Sequence, residues 1–567
     1  MYLHLTKYIR IIIISLLTLY TLLSARLFYL QIHHMLHFAL RGQRNFLRYE
    51  KITSPRGNIV DCKGNLLATN RPIFSLYWVG SGKKNFDDDQ NSAITLLAII
   101  FNTSFPYAQL MQAERTCKQL LLIEDISFDA LSKLLEQFPH HKNLLITTNF
   151  KRYYPHNSLA SHVIGYLGSL QTEGSGKMGL EKACDEDLKG MEGQLLKVIN
   201  STGKHLDQKE IKQALAGKDI LCTLDLDLQK IAEEVFPDDY AGVFLLMDPQ
   251  TGALKVMLSR PSFDPNIFLN KISPDLWQDI QHNNPFLNRI FDACYPPASL
   301  FKLVTITAAL ETQIITPDDT WYCNGYTLFA DRPYHCSNHY GHGKLSLIDA
   351  LGYSCNIPFF EIGKRIKIDT LAHYASLFGL GTKTESIFPE KGGLIPTTQW
   401  KKIVKKEPWW PGETLSATIG QSFSLVTPIQ IVRMISAICQ GYLVKPRILI
   451  DEEIEITPLA ISSTTRAFLK KCMKRVIEQG GSAYQKLKKF NNTMKLYAKT
   501  GTAQNASLSY SKDHPLMLEH AWFAVYFIDQ NNQAYTMIII IEHSGSSRVA
   551  VSVAEQFLNK YSQLTRE

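Results

Sequence analysis

The chain has 567 residues, too many for one compact core, which sets an expectation of about two to four domains. Hydrophobic residues make up 45% and charged residues 20% of it, proportions of an ordinary globular protein that exclude a disordered or collagen-like chain. Lys and Arg exceed Asp and Glu by 60 to 52, a mild surplus that suits an anionic membrane or cell wall and lacks the dense basic patch nucleic acid demands.

In chain order, the first informative stretch is Ile11 to Leu30, almost wholly apolar with Arg26 near one end. About 20 such residues are needed to span a bilayer, and an arginine near the end can snorkel. A cleaved signal peptide is the rival, but no small-x-small site follows and the apolar core is longer than a signal core. Lys7 and Arg10 precede the span, while Arg41, Arg44, Arg48 and Lys51 follow it, so charge leaves the orientation open. The expected division is 1–31 as tip and anchor, 32–216 as a mixed α/β region and 217–567 as a second domain.

Within 32–216, Arg56 to Ala68 reads as strand, turn, strand, and Phe128 to Phe138 as a helix through Leu131, Leu134, Leu135 and Phe138. Periodicity does not assign Lys151–Pro155 or Gly179–Lys182. Beyond 217, Asp219–Leu224 reads as a strand, Asp225–Val235 as a helix, and Ala241–Met247 with Ala253–Leu258 as a hairpin. At the far end, Ala521–Phe527 and Ala534–Glu542 form a second hairpin, and Val549–Tyr561 a closing helix. Strands at both ends with helix-rich sequence between them predict one antiparallel sheet carrying a large helical insertion, an α/β (α+β) fold. The interrupted run Lys401, Lys402, Lys405, Lys406 reads as a solvated face.

Three short motifs fall inside this domain in fixed order. Ser299-Leu-Phe-Lys302 follows Pro296-Pro297, and its spacing puts Ser299 and Lys302 on one helix face. A serine hydroxyl is a poor nucleophile until a base takes its proton, and a neutral amine one turn away can do so if burial or other cations lower its pKa. Ser354-Cys-Asn356 ends a helix beginning near Leu345. Lys499-Thr500-Gly501-Thr502 lies in an apolar-flanked strand where Gly501 admits close backbone approach. A capping serine, a loop asparagine or a solvent-facing lysine would explain each motif singly. The ordered set of S-x-x-K, S-x-N and K-T-G is specific.

On these residues the chain resembles a class B penicillin-binding protein over nearly its whole length. Further matches are Asp248-Pro-Gln-Thr-Gly252, Tyr295-Pro-Pro-Ala298, His342-Gly343, Gly420-Gln421, Thr427-Pro428 and, in the N-terminal pedestal, Arg56-Gly57, Arg152–Pro155 and Gly179–Glu181. Ser422 departs from the glycine usual after Gly420-Gln421. The resemblance implies a serine β-lactamase-like transpeptidase domain at 217–567 and a pedestal of the dimerisation type at 32–216. It also implies a single-pass inner-membrane protein with its N-terminus inside and its catalytic domain outside. The implied activity is D-Ala-D-Ala transpeptidation of peptidoglycan stem peptides through an acyl-serine, with β-lactams as covalent inhibitors and residual D,D-carboxypeptidase activity when water replaces the acceptor. Ser299 is then the nucleophile and Lys302 its base. Ser354 relays a proton, Lys499 tunes it, and Asn356 orients the substrate. Thr500 and Thr502 hold the substrate carboxylate, and the N–H groups of Ser299 and Thr502 form the oxyanion hole. The stretch Gly179–Gln194 and the Trp409–Thr414 loop look like the elongation type, partnered by a polytopic glycosyltransferase and elongation-complex proteins. A septal transpeptidase, a carboxypeptidase, a β-lactamase and a non-catalytic β-lactam sensor are the alternatives.

Among ten scattered cysteines, Cys323, Cys336 and Cys355 with His342 offer three thiolates and an imidazole, a donor set for tetrahedral Zn²⁺. If Ser354 and Asn356 both face substrate, Cys355 between them points into the domain, where one structural ion would pin the second motif from behind. Some proteins of the resembling family carry a metal in this region. A Cys323–Cys336 disulfide is the competing reading, and His335 or His339 could replace His342.

Overall fold

The uncharged stretch between Arg10 and Arg26 becomes a continuous α-helix, Tyr2–Phe28, extended by one π-turn over Tyr29–His33 in this computed structural model. The structure describes residues 2–565 apart from 39–45, 53, 140, 169–173, 200–204, 271, 282–283 and 505–517, so Arg41 and Arg44 lie outside the described residues. The segment Lys7–His33 is long and apolar enough to cross a membrane, and its Ile and Leu side chains are exposed. Thr18 and Thr21 return their hydroxyls to Ile14 O and Leu17 O, so these two polar groups are satisfied within the helix. This is a single-pass N-terminal anchor.

Two compact units follow. One comprises Met1–Arg56, Asn70–Lys151 and Lys189–Lys218; the other Gly57–Thr69, Arg152–Leu188 and Asp219–Glu567. The second unit thus packs 57–69 and 152–188 together with 219–567. The physical reason lies in buried polar groups. Arg152 Nε bonds Glu181 Oε1 at 2.6 Å and its Nη1 bonds Gly57 O at 2.7 Å, and a buried ion pair holds both of its segments. Those are the unassigned stretches around 151–155 and 179–182, which become the end of strand Leu144–Tyr153 and the short helix Gly179–Ala183.

In the first unit the strand Leu66–Val79 pairs along its later part with Gln119–Ile123 and with Leu144–Tyr153. Helices Asp88–Ile100 and Phe128–Gln137 bury Leu97, Leu131 and Leu134 against Leu76. A separate sheet joins Leu47–Ile52, Gly193–Ile199 and His205–Lys212.

The second unit is built on a five-stranded antiparallel sheet ordered Leu254–Arg260, Gly242–Met247, Ala534–Ile541, His520–Ile528, Lys495–Ala503. Its three inner strands are largely apolar runs because helices cover both faces, while the edge strands Leu254–Arg260 and Lys495–Ala503 mix in polar residues. Phe244, Leu246, Phe523 and Ile539 pack on the helices Leu226–Val235 and Ser547–Leu564. Leu245, Ala524 and Ile538 pack on the helices Lys302–Glu311 and Pro428–Gln440. Both ends of the chain thus meet in one sheet, as the sequence predicts. The Asp219–Leu224 strand shortens to Ile220–Leu221, which pairs with Ile59–Val60.

Candidate active site

The edge strand Lys495–Ala503 carries the third motif, and its outer side faces the turn that carries the first. A Cβ on Gly501 would lie 3.1 Å from Trp522 Cβ on the neighbouring strand and 3.7 Å from Ala298 Cβ, so strand and turn are in close contact here. The nucleophile turn is a short 3-10 segment, Ala298–Leu300, that passes into the helix Lys302–Glu311. Ala298 is held at φ 50°, an unfavourable left-handed conformation for a residue with a Cβ. Its N–H donates to Gly420 O at 3.0 Å, and a Cβ on Gly420 would sit 2.2 Å from Ala298 O. Gly420 is therefore fixed by close backbone approach. Ser422, two residues on, keeps φ 72° although it bears a side chain. The glycine usual there is the residue that backbone suits; the departure leaves the geometry intact and adds strain.

Two hydroxyls and two amines converge. Ser354 Oγ donates to Ser299 Oγ at 3.0 Å, and Lys499 Nζ donates to Ser354 Oγ at 2.9 Å. Lys302 Nζ donates to Ser354 O at 2.9 Å, to Cys355 O at 3.1 Å and to Asn356 Oδ1 at 2.8 Å, with Ser354 Oγ at 3.5 Å. Ser299 lies in the 3-10 segment and Lys302 opens the helix that follows, and the partner of the Ser299 hydroxyl is Ser354. Both lysines are fully buried. Burial brings Lys302 down to about 8, partly opposed by the Cys355 and Cys336 sulfurs. Burial and then Lys302 itself push Lys499 well below its ordinary value. Asn356 Nδ2 donates to His335 O at 3.2 Å, so its amide faces are fixed by Lys302 on one side and a loop carbonyl on the other. Thr500 is 4% exposed and shares a hydrogen bond with Ser482 at 2.8 Å, whereas Thr502 is half-buried.

Behind the second motif, Cys323, Cys336, His342 and Cys355 bring their ligand atoms within 4.8 Å of one another. Cys336 Sγ lies 3.7 Å from Cys355 Sγ, and His342 Nδ1 lies 3.6 Å from both Cys323 Sγ and Cys336 Sγ. Sulfur ligands about 2.3 Å from a tetrahedral zinc stand about 3.8 Å apart, so the donor set fits in kind and spacing. All three cysteines are buried free thiols. His342 stacks on Tyr353 with ring centroids 6.0 Å apart; His335 and His339 pack on each other instead.

Sequence reasoning missed the supports of the nucleophile turn. Tyr295 OH donates to Glu542 Oε1 at 2.7 Å, beside Arg289 Nε at 2.9 Å. Trp522 Nε1 donates to Pro296 O at 3.1 Å. These partners lie more than two hundred residues apart in the chain, so no local spacing signals them.

A buried amine pair, a hydroxyl relay and a serine on a strained turn beside an edge strand define a serine acyl-transfer site. The model of the penicillin binding protein transpeptidase domain matches residues 242–562, and that of the penicillin-binding protein dimerisation domain matches 51–222. The chain belongs to the penicillin-binding protein transpeptidase family. Within it, the chain is a class B protein of the penicillin-binding protein 2 kind, a serine-type peptidoglycan D,D-transpeptidase of cell elongation. The peptidoglycan D,D-transpeptidase MrdA of Escherichia coli K12 is 27% identical over 96% of this chain and 92% of its own. Penicillin-binding protein 2 of Helicobacter pylori, solved in complex with MreC, is 28% identical with a TM-score of 0.79, covering 92% of this chain and all of that one. A chain from a peptidoglycan synthase complex that coordinates polymerization and crosslinking is 28% identical with a TM-score of 0.73, covering 97% of each.

Proposed function

We propose that Ser299 attacks the penultimate D-alanine carbonyl of a stem peptide, forming an acyl-serine ester and expelling terminal D-alanine. The observation that carries this is the run Ser299 Oγ, Ser354 Oγ, Lys499 Nζ with Lys302 directly beneath it. Lys302 in its neutral form takes the Ser299 proton; loss of its own proton leaves it fewer donors for its carbonyl partners and a lone pair to turn toward Ser299. Ser354, whose hydroxyl Lys499 holds, then passes a proton to the departing amine and regains one from the Lys302 ammonium formed in the first step. Asn356 aligns the substrate amide, Thr502 receives the carboxylate, and the N–H groups of Ser299 and Thr502 stabilise the oxyanion, a term usually worth about 3 kcal/mol per donor. The acceptor amine of a neighbouring stem attacks the ester, forms the cross-link and restores Ser299. With a synthetic stem-peptide donor and an amine acceptor, wild type releases D-alanine and forms the cross-linked product, and Ser299→Ala forms neither. Release by Ser299→Ala would sink the assignment.

The Cys323, Cys336, His342 and Cys355 set supports one structural Zn²⁺, which would lock the loop carrying Ser354 and Asn356 and take no part in bond exchange. The anchor and the chemistry together support a catalytic domain facing outward from the inner membrane, where the cell wall lies. The relatives in MreC and synthase complexes support a polytopic glycosyltransferase and elongation proteins as partners. β-Lactams mimic the donor and acylate the same serine.

A further inference from the structure

The run Lys401 to Lys406 does not behave as one solvated face. Lys401 is buried, its ammonium ion-paired with Glu413 and 3.7 Å from Glu407, and it lies 5.8 Å from the Trp409 ring centroid and 6.0 Å from that of Phe423. It takes up both nearby carboxylates. Residues 402–408 are all exposed, and among the described residues Lys402, Lys405 and Lys406 form no ion pair. Between them, Ile403 and Val404 are 65% and 57% exposed, and Trp410 is 57% exposed beyond. The segment is wound as a π-turn, Lys401–Lys405, and ends at Lys406 with φ 58°, a left-handed residue that carries a long side chain. π-Turns and strained backbone of this sort concentrate where a segment is shaped for binding.

This surface is continuous with the active-site rim. Lys405 Nζ sits 5.6 Å over the Phe423 ring, and Trp400 packs on the same ring at 5.2 Å. Phe423 belongs to the turn whose Gly420 holds the Ala298 N–H, one residue before the nucleophile. At the other end, Gly412, in the helix that Trp410 caps, accepts from Tyr334 OH at 3.3 Å, in the hairpin whose His335 fixes Asn356. The occupant must be anionic, must offer apolar faces to Ile403, Val404 and Trp410, and must reach the catalytic rim. A peptidoglycan strand meets all three conditions: its stem peptides carry carboxylates and its sugar rings present apolar C–H faces to an indole. Resting on the transpeptidase reading, we propose that Lys402–Lys406 with Trp410 is the docking surface on which the anionic glycan-peptide strand lies while its stem enters the site.

The test uses the full chain in detergent and purified peptidoglycan sacculi. Wild type co-sediments with sacculi, and the bound fraction falls as salt rises from about 50 mM, as ion-dependent docking requires. Lys402→Glu/Lys406→Glu lowers co-sedimentation at least about threefold, and the milder Lys402→Gln/Lys406→Gln variant lowers it less, while benzylpenicillin acylates both variants within about twofold of wild type, because both side chains are exposed surface charges. Unchanged sacculus binding overturns the proposal. So does a loss matched by equal loss of penicillin acylation, which marks damage to the site. Charge-dependent binding to anionic lipid vesicles with sacculus binding intact overturns it in favour of a membrane surface. Penicillin acylation reports on the transpeptidase reading separately.

Discussion

Two amines lie fully buried in one site, and their chemistry depends on not both being charged. Lys302 faces three acceptors, which favour its ammonium form, against burial, which lowers its pKa to about 8. Lys302→Gln is one atom shorter, retains an N–H donor and has no basic lone pair. Its penicillin acylation rate is expected to fall roughly 10²- to 10⁴-fold with little change in thermal midpoint. A stopped-flow rate within tenfold of wild type would contradict the base assignment. Ser299 and Lys302 were legible because spacing of three residues is a local signal. The Ser354 hydroxyl on Ser299 was not, since it joins residues 55 apart through tertiary packing. Tyr295 is the same kind of case: Tyr295→Phe removes the bond to Glu542 and is expected to slow acylation several-fold, with the KM for a stem-peptide donor nearly unchanged. A loss confined to KM would show that the tyrosine acts on substrate binding and not on the nucleophile turn.

At the scale of elements, the central sheet was legible because its three inner strands are largely apolar runs between turn residues. Thr427-Pro428 was legible only as a family match; in the structure Thr427 N–H donates to Gln430 Oε1 at 3.2 Å where the helix Pro428–Gln440 begins. The short strands Thr320–Cys323 and Gly343–Ser346 were not legible, being four residues each and polar on one side. They are what bring Cys323 and His342 together, His342 N donating to Cys323 O at 3.0 Å. Elemental analysis of purified protein is expected to find about one zinc per chain. Cys323→Ser should lower zinc content and slow penicillin acylation about tenfold, because the Ser354–Asn356 loop loses its support. Zinc-free protein that reacts at the wild-type rate, or a Cys323–Cys336 disulfide by peptide mass spectrometry, would reject the metal.

Across the whole molecule, the interleaving of 57–69 and 152–188 with the transpeptidase unit was hidden from any reading by composition, which sees sequence neighbours and not packing partners. It places His162, fully buried with a ring nitrogen 2.6 Å from Pro285 O, inside that unit. Burial lowers His162 to about 4, and burial also lowers His520 to about 4. Both are protonated more readily in the unfolded chain, so their stabilising contribution is complete above pH 6.5 and is lost as pH falls toward 4, on the order of 3 kcal/mol for His162. The thermal midpoint should drop across that window, and His162→Gln should flatten the drop; equal midpoints at pH 7 and pH 4.5 would contradict it. In cells, depletion is expected to widen and round the rods while septa still form.

The central claim is that one serine on the strained turn is acylated. Full-length protein exposed to benzylpenicillin should gain a single covalent adduct that persists for minutes, and peptide mapping should place it on Ser299. An adduct on another residue, an adduct retained by Ser299→Ala, or none at all in wild type would contradict the account.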